Sequence, residues 1–249
     1  MNIVAIIQAR MGATRLPGKV LLELEGKTVL ERVIERVRAS RYINEVVVAT
    51  TKKEENSSIV DICSLAGIKV YCGNEEDVLD RFYQAARLFK ADQIVRITAD
   101  CPLIDPEIIG QVISLHLESA ADYTSNVLKA TYPDGEDVEV FSSGALEKAW
   151  KTARLKSERE HVTPYIKNNP DLFKLVNLEY KEDLSAKRWT LDEPSDYEFI
   201  KIIYNKLCSN SRIFGMNDIL QFLKENPRIE NMNSGIQRNE GYLKSLKND

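Results

Sequence analysis

Three stretches of the 249-residue chain carry residue types suited to phosphate and metal chemistry. In Gln8-Ala9-Arg10-Met11-Gly12-Ala13-Thr14-Arg15-Leu16-Pro17-Gly18-Lys19, three cations are spaced among two glycines, directly after the apolar run Ile3 to Ile7. Arginine offers a planar fork of donors, lysine a compact point charge, and glycine lets the backbone approach an anion. That combination suits a triphosphate. The same types also suit a solvated basic loop with turn glycines, and residue types alone do not choose between the two. The segment is not a Walker loop, because the Gly-x-x-x-x-Gly-Lys-Ser/Thr spacing is absent.

The second stretch is Ala99-Asp100-Cys101-Pro102, just past the strand-like run Gln93 to Thr98. A carboxylate there is a hard oxygen ligand able to hold Mg²⁺ against phosphates, and its plainer role is to cap the next turn. The third is Trp189-Thr190-Leu191-Asp192-Glu193-Pro194, in which Asp192 on its own reads as the N-cap of a helix starting near Pro194. Asp134, Asp137 and Glu139 crowd into six residues around Gly135 and repel one another unless cations or donors lie close. They suit sugar hydroxyls or a metal; for Asp134 a polar hairpin turn entering an edge strand is the equal alternative. Arg159, Glu160 and His161 form a compact polar group on a helix, with His161 either a base or donor or a packing residue. Asp80 and Arg81 are adjacent on a helix and point in different directions. Arg96 lies in a buried strand and needs an ionic partner. Trp150 and Trp189 read as core.

The elements that must position these residues follow from hydrophobic periodicity. Strands at Ile3 to Ile7, Glu45 to Thr50, Lys69 to Cys72 and Gln93 to Thr98 alternate with helices whose apolar faces carry Leu30, Val33 and Val37, then Ile59 and Cys63, then Leu79, Phe82 and Ala86. Asp105-Pro106 marks the start of a further helix. Alternation of this kind predicts a three-layer α/β/α fold on a mostly parallel sheet, with ligands at the carboxyl ends of its strands. After Tyr123 the pattern loosens: strands are expected at Val138 to Phe141 and Lys174 to Leu178, and helices at Leu146 to Ala153 and Glu158 to Ile166. Without a Gly/Ser-rich linker or internal repeat, residues 1–227 read as one domain and 228–249 as a polar tail, lid or arm.

Composition narrows the function classes. With 34 basic and 38 acidic residues the net charge is −4, which leaves no basic face for a nucleic-acid backbone. The N-terminal apolar run is too short to span a membrane and lacks the basic flank of a signal peptide, so no membrane insertion is expected. Four cysteines without a Cys-x-x-Cys pair fit reduced thiols in a cytoplasm, and with two histidines they offer few zinc ligands.

Taken together, QARMGATRLPGKVL, RITADCPLID, PDGEDVEVF, SEREHVTPY, RWTLDEPSDY and the tail IQRNEGYLKSL resemble, in order and across almost the whole chain, the cytidylyltransferases that activate acidic sugars, in particular the group of spore coat polysaccharide biosynthesis protein F. Gln8 stands where such relatives often carry Pro, and Ala99 where many have Gly. The resemblance implies a nucleotide-diphospho-sugar-transferase type of Rossmann-like fold, CTP and a small acidic acceptor as substrates, Mg²⁺, a homodimer, and a place in surface or spore coat polysaccharide synthesis. It implies a nucleotide-binding set of Gln8, Ala9, Arg10, Gly12, Arg15, Lys19, Arg81, Thr98 and Asp100, with Arg15, Lys19 and Asp100 catalytic. Asp100 and Asp192 are the implied metal ligands, and Asp134, Asp137, Glu139, Arg159 and His161 the implied acceptor side. The chemistry that fits is in-line attack of an acceptor oxygen on the α-phosphorus, with pyrophosphate leaving. Two other readings stay open. A glycosyltransferase would usually need an Asp-x-Asp metal motif, which is lacking outside 134–139; a non-catalytic nucleotide-binding protein would not need both Asp100 and Asp192.

Overall fold

The computed structural model describes residues 1–209, 212–236, 238–247 and 249. In chain order the elements are β1 (Ile3–Gln8), the small hairpin β2 (Glu23–Leu24) and β3 (Lys27–Thr28), α1 (Val29–Arg38), β4 (Glu45–Thr51), α2 (Ser57–Leu65), β5 (Lys69–Gly73), α3 (Val78–Leu88), β6 (Gln93–Thr98) and α4 (Pro106–Ser119). There follow β7 (Tyr123–Ser125), β8 (Glu139–Ser142), α5 (Ser143–Thr152), α6 (Lys156–His161), α7 (Pro164–Lys167), β9 (Leu175–Asn177), α8 (Pro194–Leu207), α9 (Met216–Glu225), α10 (Pro227–Glu230) and α11 (Glu240–Leu246).

Seven strands form one sheet in the order β5-β4-β1-β6-β8-β7-β9. The pairs β1–β4, β1–β6, β4–β5 and β7–β9 are parallel, whereas β8 runs antiparallel to both its neighbours. This is the expected mostly parallel α/β architecture. Because side chains alternate across a strand, Ile3, Ala5 and Ile7 of β1 enter one core with α1, α4 and α8, while Val4 and Ile6 enter the other with α3 and α5. Burial on both faces explains why β1 is an unbroken apolar run.

Chain order along the sheet reverses at β1: β4 and β5 lie to one side and β6 to the other. Loops leaving β1 and β6 at this point diverge and open a crevice, where open α/β sheets bind ligands. Both loops are pinned. After β6, Arg36 from α1 donates to the carbonyls of Ile104 (2.7 Å), Phe214 (2.6 Å) and Leu103 (3.2 Å), and the Tyr204 hydroxyl of α8 donates to the Pro102 carbonyl at 2.5 Å. After β1, the Met11 amide donates to Asn56 Oδ1 at 2.8 Å and the Gly18 amide to the Met11 carbonyl at 3.1 Å. Gly18 sits at φ 69°, a conformation that favours glycine, and it turns the chain into the short 3₁₀ segment that carries Lys19.

Beyond β6 three expectations change. Tyr123–Ser125 is a strand, and its three residues are too few to display a period of two. The helix expected over Glu158 to Ile166 is two helices, interrupted at Val162 (φ 72°), with Pro164 beginning the second. Finally, β8 lies inside the sheet, so the Asp134 segment is not a hairpin turn into an edge strand; the Asp134 backbone instead bridges to Arg188.

Candidate active site

The crevice between the β1 and β6 loops brings Lys19, Asp100 and Asp192 together from three distant parts of the chain. Lys19 Nζ donates to Asp100 Oδ2 at 2.6 Å, Asp192 Oδ1 at 2.8 Å and the Leu191 carbonyl at 2.8 Å. Asp192 is held there by the segment before α8: the Leu191 amide donates to the Asp100 carbonyl (2.8 Å), which joins the two acidic loops directly. Contrary to its reading as an N-cap, Asp192 does not cap α8. Glu193 occupies that position, and the buried Asp196 accepts the Asp192 and Glu193 amides at 2.9 and 2.8 Å. The Asp192 carboxylate is thereby left for cations: Lys19, Arg15 (2.9 Å) and Arg188 (3.2 Å).

Electrostatics follow the geometry. Burial by itself raises the Asp100 carboxyl, but the adjacent Lys19 charge and hydrogen bond overcome it and hold the group down at about 2. Burial works against the Lys19 ammonium too, and the two aspartates more than compensate, so its pKa is raised and it stays charged. Arg15 is shared among Asp192, Glu193 (3.2 Å) and Glu240 of α11 (3.0 Å). A cavity of about 260 Å³ adjoins this cluster, walled by Gln8, Ala9, Arg10, Arg15, Lys19, Thr98 and Asp100 among others.

Two residues expected in this set lie elsewhere. Gly12 is not on the cavity wall; a Cβ there would come within 3.2 Å of Glu55 Oε1. Arg81 is fully buried behind Gly73 and donates to the Asn74 carbonyl at 2.7 Å. Its neighbour Asp80 points away, as adjacent helical residues must, and accepts from Trp150 Nε1 at 2.8 Å.

A larger cavity of about 540 Å³ opens on the other side of Asp100 and Asp192, and Asp134, Asp137, Glu139 and His161 line it. Arg159 does not; it turns back to an ion pair with Asp77 and to the Trp150 carbonyl, because its helix presents the opposite face. Glu139 is the ionic partner of the half-buried Arg96, and it also accepts from Tyr123 and Thr163 at 2.6 Å each. Burial opposes its ionisation, yet Arg96 and Lys167 lower it to about 2. Asp134 goes the other way: burial, reinforced by the Asp137 charge, lifts it to about 7 despite Arg188 and Arg238. Asp137 is raised as well, chiefly by burial. Burial, with Arg96 nearby, lowers His161 to about 4, so the ring is neutral at pH 7. Its Nε2 lies 2.8 Å from Ser245 Oγ of α11.

Several residues here escape reading from residue types alone. Arg188, with its side chain 5% exposed, binds Asp196, Asp134 and Asp192 together, and no local period in this non-helical stretch signals it. Arg238 pairs with Asp137 and donates to the Tyr132 carbonyl at 3.1 Å. With Glu240 and Tyr242, which lines the larger cavity, it makes the segment after α10 part of the site. Among the described residues of 228–249, Asn239, Glu240, Gly241 and Tyr242 line the larger cavity.

Comparison with known proteins supplies the family. A family model described as cytidylyltransferase matches residues 4–221. Protein MJ1063 of Methanocaldococcus jannaschii is 42% identical over 96% of this chain and 97% of its own length. The spore coat polysaccharide biosynthesis protein SpsF of Bacillus subtilis is 36% identical over 91% of this chain and 95% of its own. A 3-deoxy-manno-octulosonate cytidylyltransferase of Trichlorobacter lovleyi is 37% identical over 45% of this chain and 44% of its own. A cytidylyltransferase structure from Leptospira borgpetersenii, 35% identical, superposes with a TM-score of 0.89 over 96% of this chain and all of that one. The match spans both the crevice and the cavity beside it, and the chain belongs to the cytidylyltransferase family, as a nucleotidyltransferase enzyme.

Proposed function

We propose that this enzyme transfers CMP from CTP to a small acidic sugar and releases pyrophosphate, with Mg²⁺ as its cation, in the cytoplasm and in the service of surface polysaccharide synthesis. The observation that carries the reading is the junction itself: Arg15, Thr98, Asp100, Asp192, Glu240 and Gly241 line both cavities, so a nucleotide in the smaller one and an acceptor in the larger one meet at the same residues. The names of the Bacillus and Trichlorobacter relatives supply the polysaccharide and the acidic sugar.

The donor set fits a hard divalent cation. Two carboxylates and a main-chain carbonyl already converge within 2.8 Å of one positive nitrogen. When bound, Mg²⁺ would supply polarisation of the phosphate at the reacting centre, held by Asp100 and Asp192. Arg15 and Lys19 neutralise the leaving pyrophosphate, and Arg10 lies along the same wall for the outer phosphates. Arg96, Lys167 and Arg188 line the acceptor cavity and are the cations available to an acidic sugar, while Asp134 and Asp137 suit its hydroxyls. Positioning does most of the work in phosphoryl chemistry, so no covalent nucleophile is required. No helix among the described residues is long and apolar enough to cross a membrane. A homodimer is the assembly expected, and light scattering tests it.

The direct test incubates the enzyme with CTP, Mg²⁺ and a panel of acidic sugars, 3-deoxy-manno-octulosonate among them, and follows pyrophosphate. Release that needs both an acidic sugar and the cation, and stops with EDTA, supports the reading. Release with neutral sugars alone, or undiminished by EDTA, contradicts it.

A further inference from the structure

The position between the two acidic loops is already filled by a cation of the protein's own. Lys19 Nζ has three oxygen partners at 2.6 to 2.8 Å, and all three are the hard acceptors that a divalent cation takes. A metal ion on those same oxygens would lie against the ammonium, and the two positive charges repel. The neighbouring cation shows the mirror arrangement. The Arg15 guanidinium holds three carboxylates, one of which, Glu240, is brought from 225 residues away by α11. A phosphate that reaches Arg15 takes a place where a carboxylate now sits.

We propose, resting on the metal reading above, that the resting site is occupied by its own ions and loads by exchange. Lys19 stands where the divalent cation enters, and Glu240 stands where a phosphate does. As metal and nucleotide arrive together, the Lys19 ammonium passes from Asp100 and Asp192 to the phosphates on its flexible four-carbon stem, and Glu240 yields Arg15. Neither ligand alone completes the exchange. A free cation has to evict an ammonium with three good partners and nothing else to bind, whereas the triphosphate gives that ammonium a new partner. Metal and nucleotide then tighten each other's binding by the same factor, as linkage requires. Removing the ammonium leaves the Asp100 and Asp192 carboxylates short of a counter-ion, a deficit that a free divalent cation relieves.

Mn²⁺ serves as the probe, its binding read from the loss of the free-ion electron paramagnetic resonance signal, with no nucleotide present. Lys19→Met and Lys19→Gln are expected to bind Mn²⁺ about tenfold or more tightly than wild type, and adding Asp100→Asn is expected to erase the gain. Adding CTP to wild type is expected to produce a comparable tightening beyond the signal that CTP removes from Mn²⁺ in a protein-free control. If both Lys19 variants bind Mn²⁺ no better than wild type while CTP still tightens it in wild type, the exchange is wrong and the metal reading stands. If Mn²⁺ binds none of these proteins even with CTP, the metal reading itself falls. Should the Lys19 variants fail to fold, Glu240→Gln carries the test: without metal it should bind CTP more tightly than wild type, and unchanged affinity would overturn the proposal.

Discussion

The two sides of the sheet solve the same electrostatic problem in opposite ways. At the β1–β6 crevice each buried carboxylate has a cation on it, and Asp100 is held down at about 2 by Lys19. On the β8–β7–β9 side the outcome is divided: Arg96 and Lys167 hold Glu139 down at about 2, and its acidic neighbours are not held down. Asp134 is lifted to about 7, Asp137 is raised, and Glu136, fully buried with Oε1 unpartnered, is pushed well above the carboxylate range by burial and by Asp105. The crevice is thus charged and organised before any ligand arrives, while Asp134 and Asp137, which line the larger cavity, keep unspent acidity. Such groups are costly to bury, and their retention points to a ligand or proton that uses them.

If that contrast is right, the acceptor side depends most on its few cations. Arg188→Ala removes the shared partner of Asp134, Asp192 and the buried Asp196, and should cost about 3–5 kcal/mol of stability; a fall in Tm with a matching loss in denaturant midpoint would show it. On the crevice side, Asp100→Ala leaves Lys19 with Asp192 and the Leu191 carbonyl, so it should lower Tm less than Arg188→Ala does, yet lower pyrophosphate release roughly 10²–10³-fold. A backbone change sharpens the contrast next. Gly135 stands at φ 115°, and a Cβ there would sit 2.6 Å from the Trp189 carbonyl carbon, so Gly135→Ala should lower stability by about 1–3 kcal/mol.

The smallest effect expected is a pH dependence. Asp134 titrates at about 7 when folded against an ordinary 3.8, so the folded chain retains a proton that the unfolded chain releases. Its contribution to stability is full below the unfolded value and lost as pH rises toward 7. Asp134→Asn should therefore flatten the fall in Tm between about pH 4 and 7. His161, lowered to about 4 from an ordinary 6.5, works in the opposite sense, because the unfolded ring takes up a proton that the folded ring refuses, so His161→Gln should steepen the fall.

The same contrast explains what the sequence discloses. Where strands are buried on both faces and alternate with helices, as from β1 to α4, residue types and periods coincide with the elements, and Asp105 does cap α4 ahead of Pro106. The loops that carry Lys19 and Asp100 could be placed at the carboxyl ends of their strands for that reason. Asp192 was harder, since an acidic residue before Pro194 looks like a cap until Asp196 is seen to accept both amides. Gly12 and Arg81 share sequence neighbourhoods with site residues, but the loop path and the α3 face carry them off the cavity wall, and Arg159 is lost the same way. The acceptor side resisted because its strands have three or four residues and its charges pair across long separations, as Arg238 does with Asp137 over 101 residues. No local period encodes such a pairing.

The central claim is that the crevice between the β1 and β6 loops is a CTP site that works with a divalent cation. Calorimetric titration of the enzyme with CTP, UTP, ATP and GTP, each with Mg²⁺, tests it most directly when repeated on Asp100→Ala and Arg15→Ala. Preference for CTP, weakened by both substitutions in proteins that still fold, is the predicted result. Preference for another nucleotide, or CTP binding untouched by either change, would contradict it.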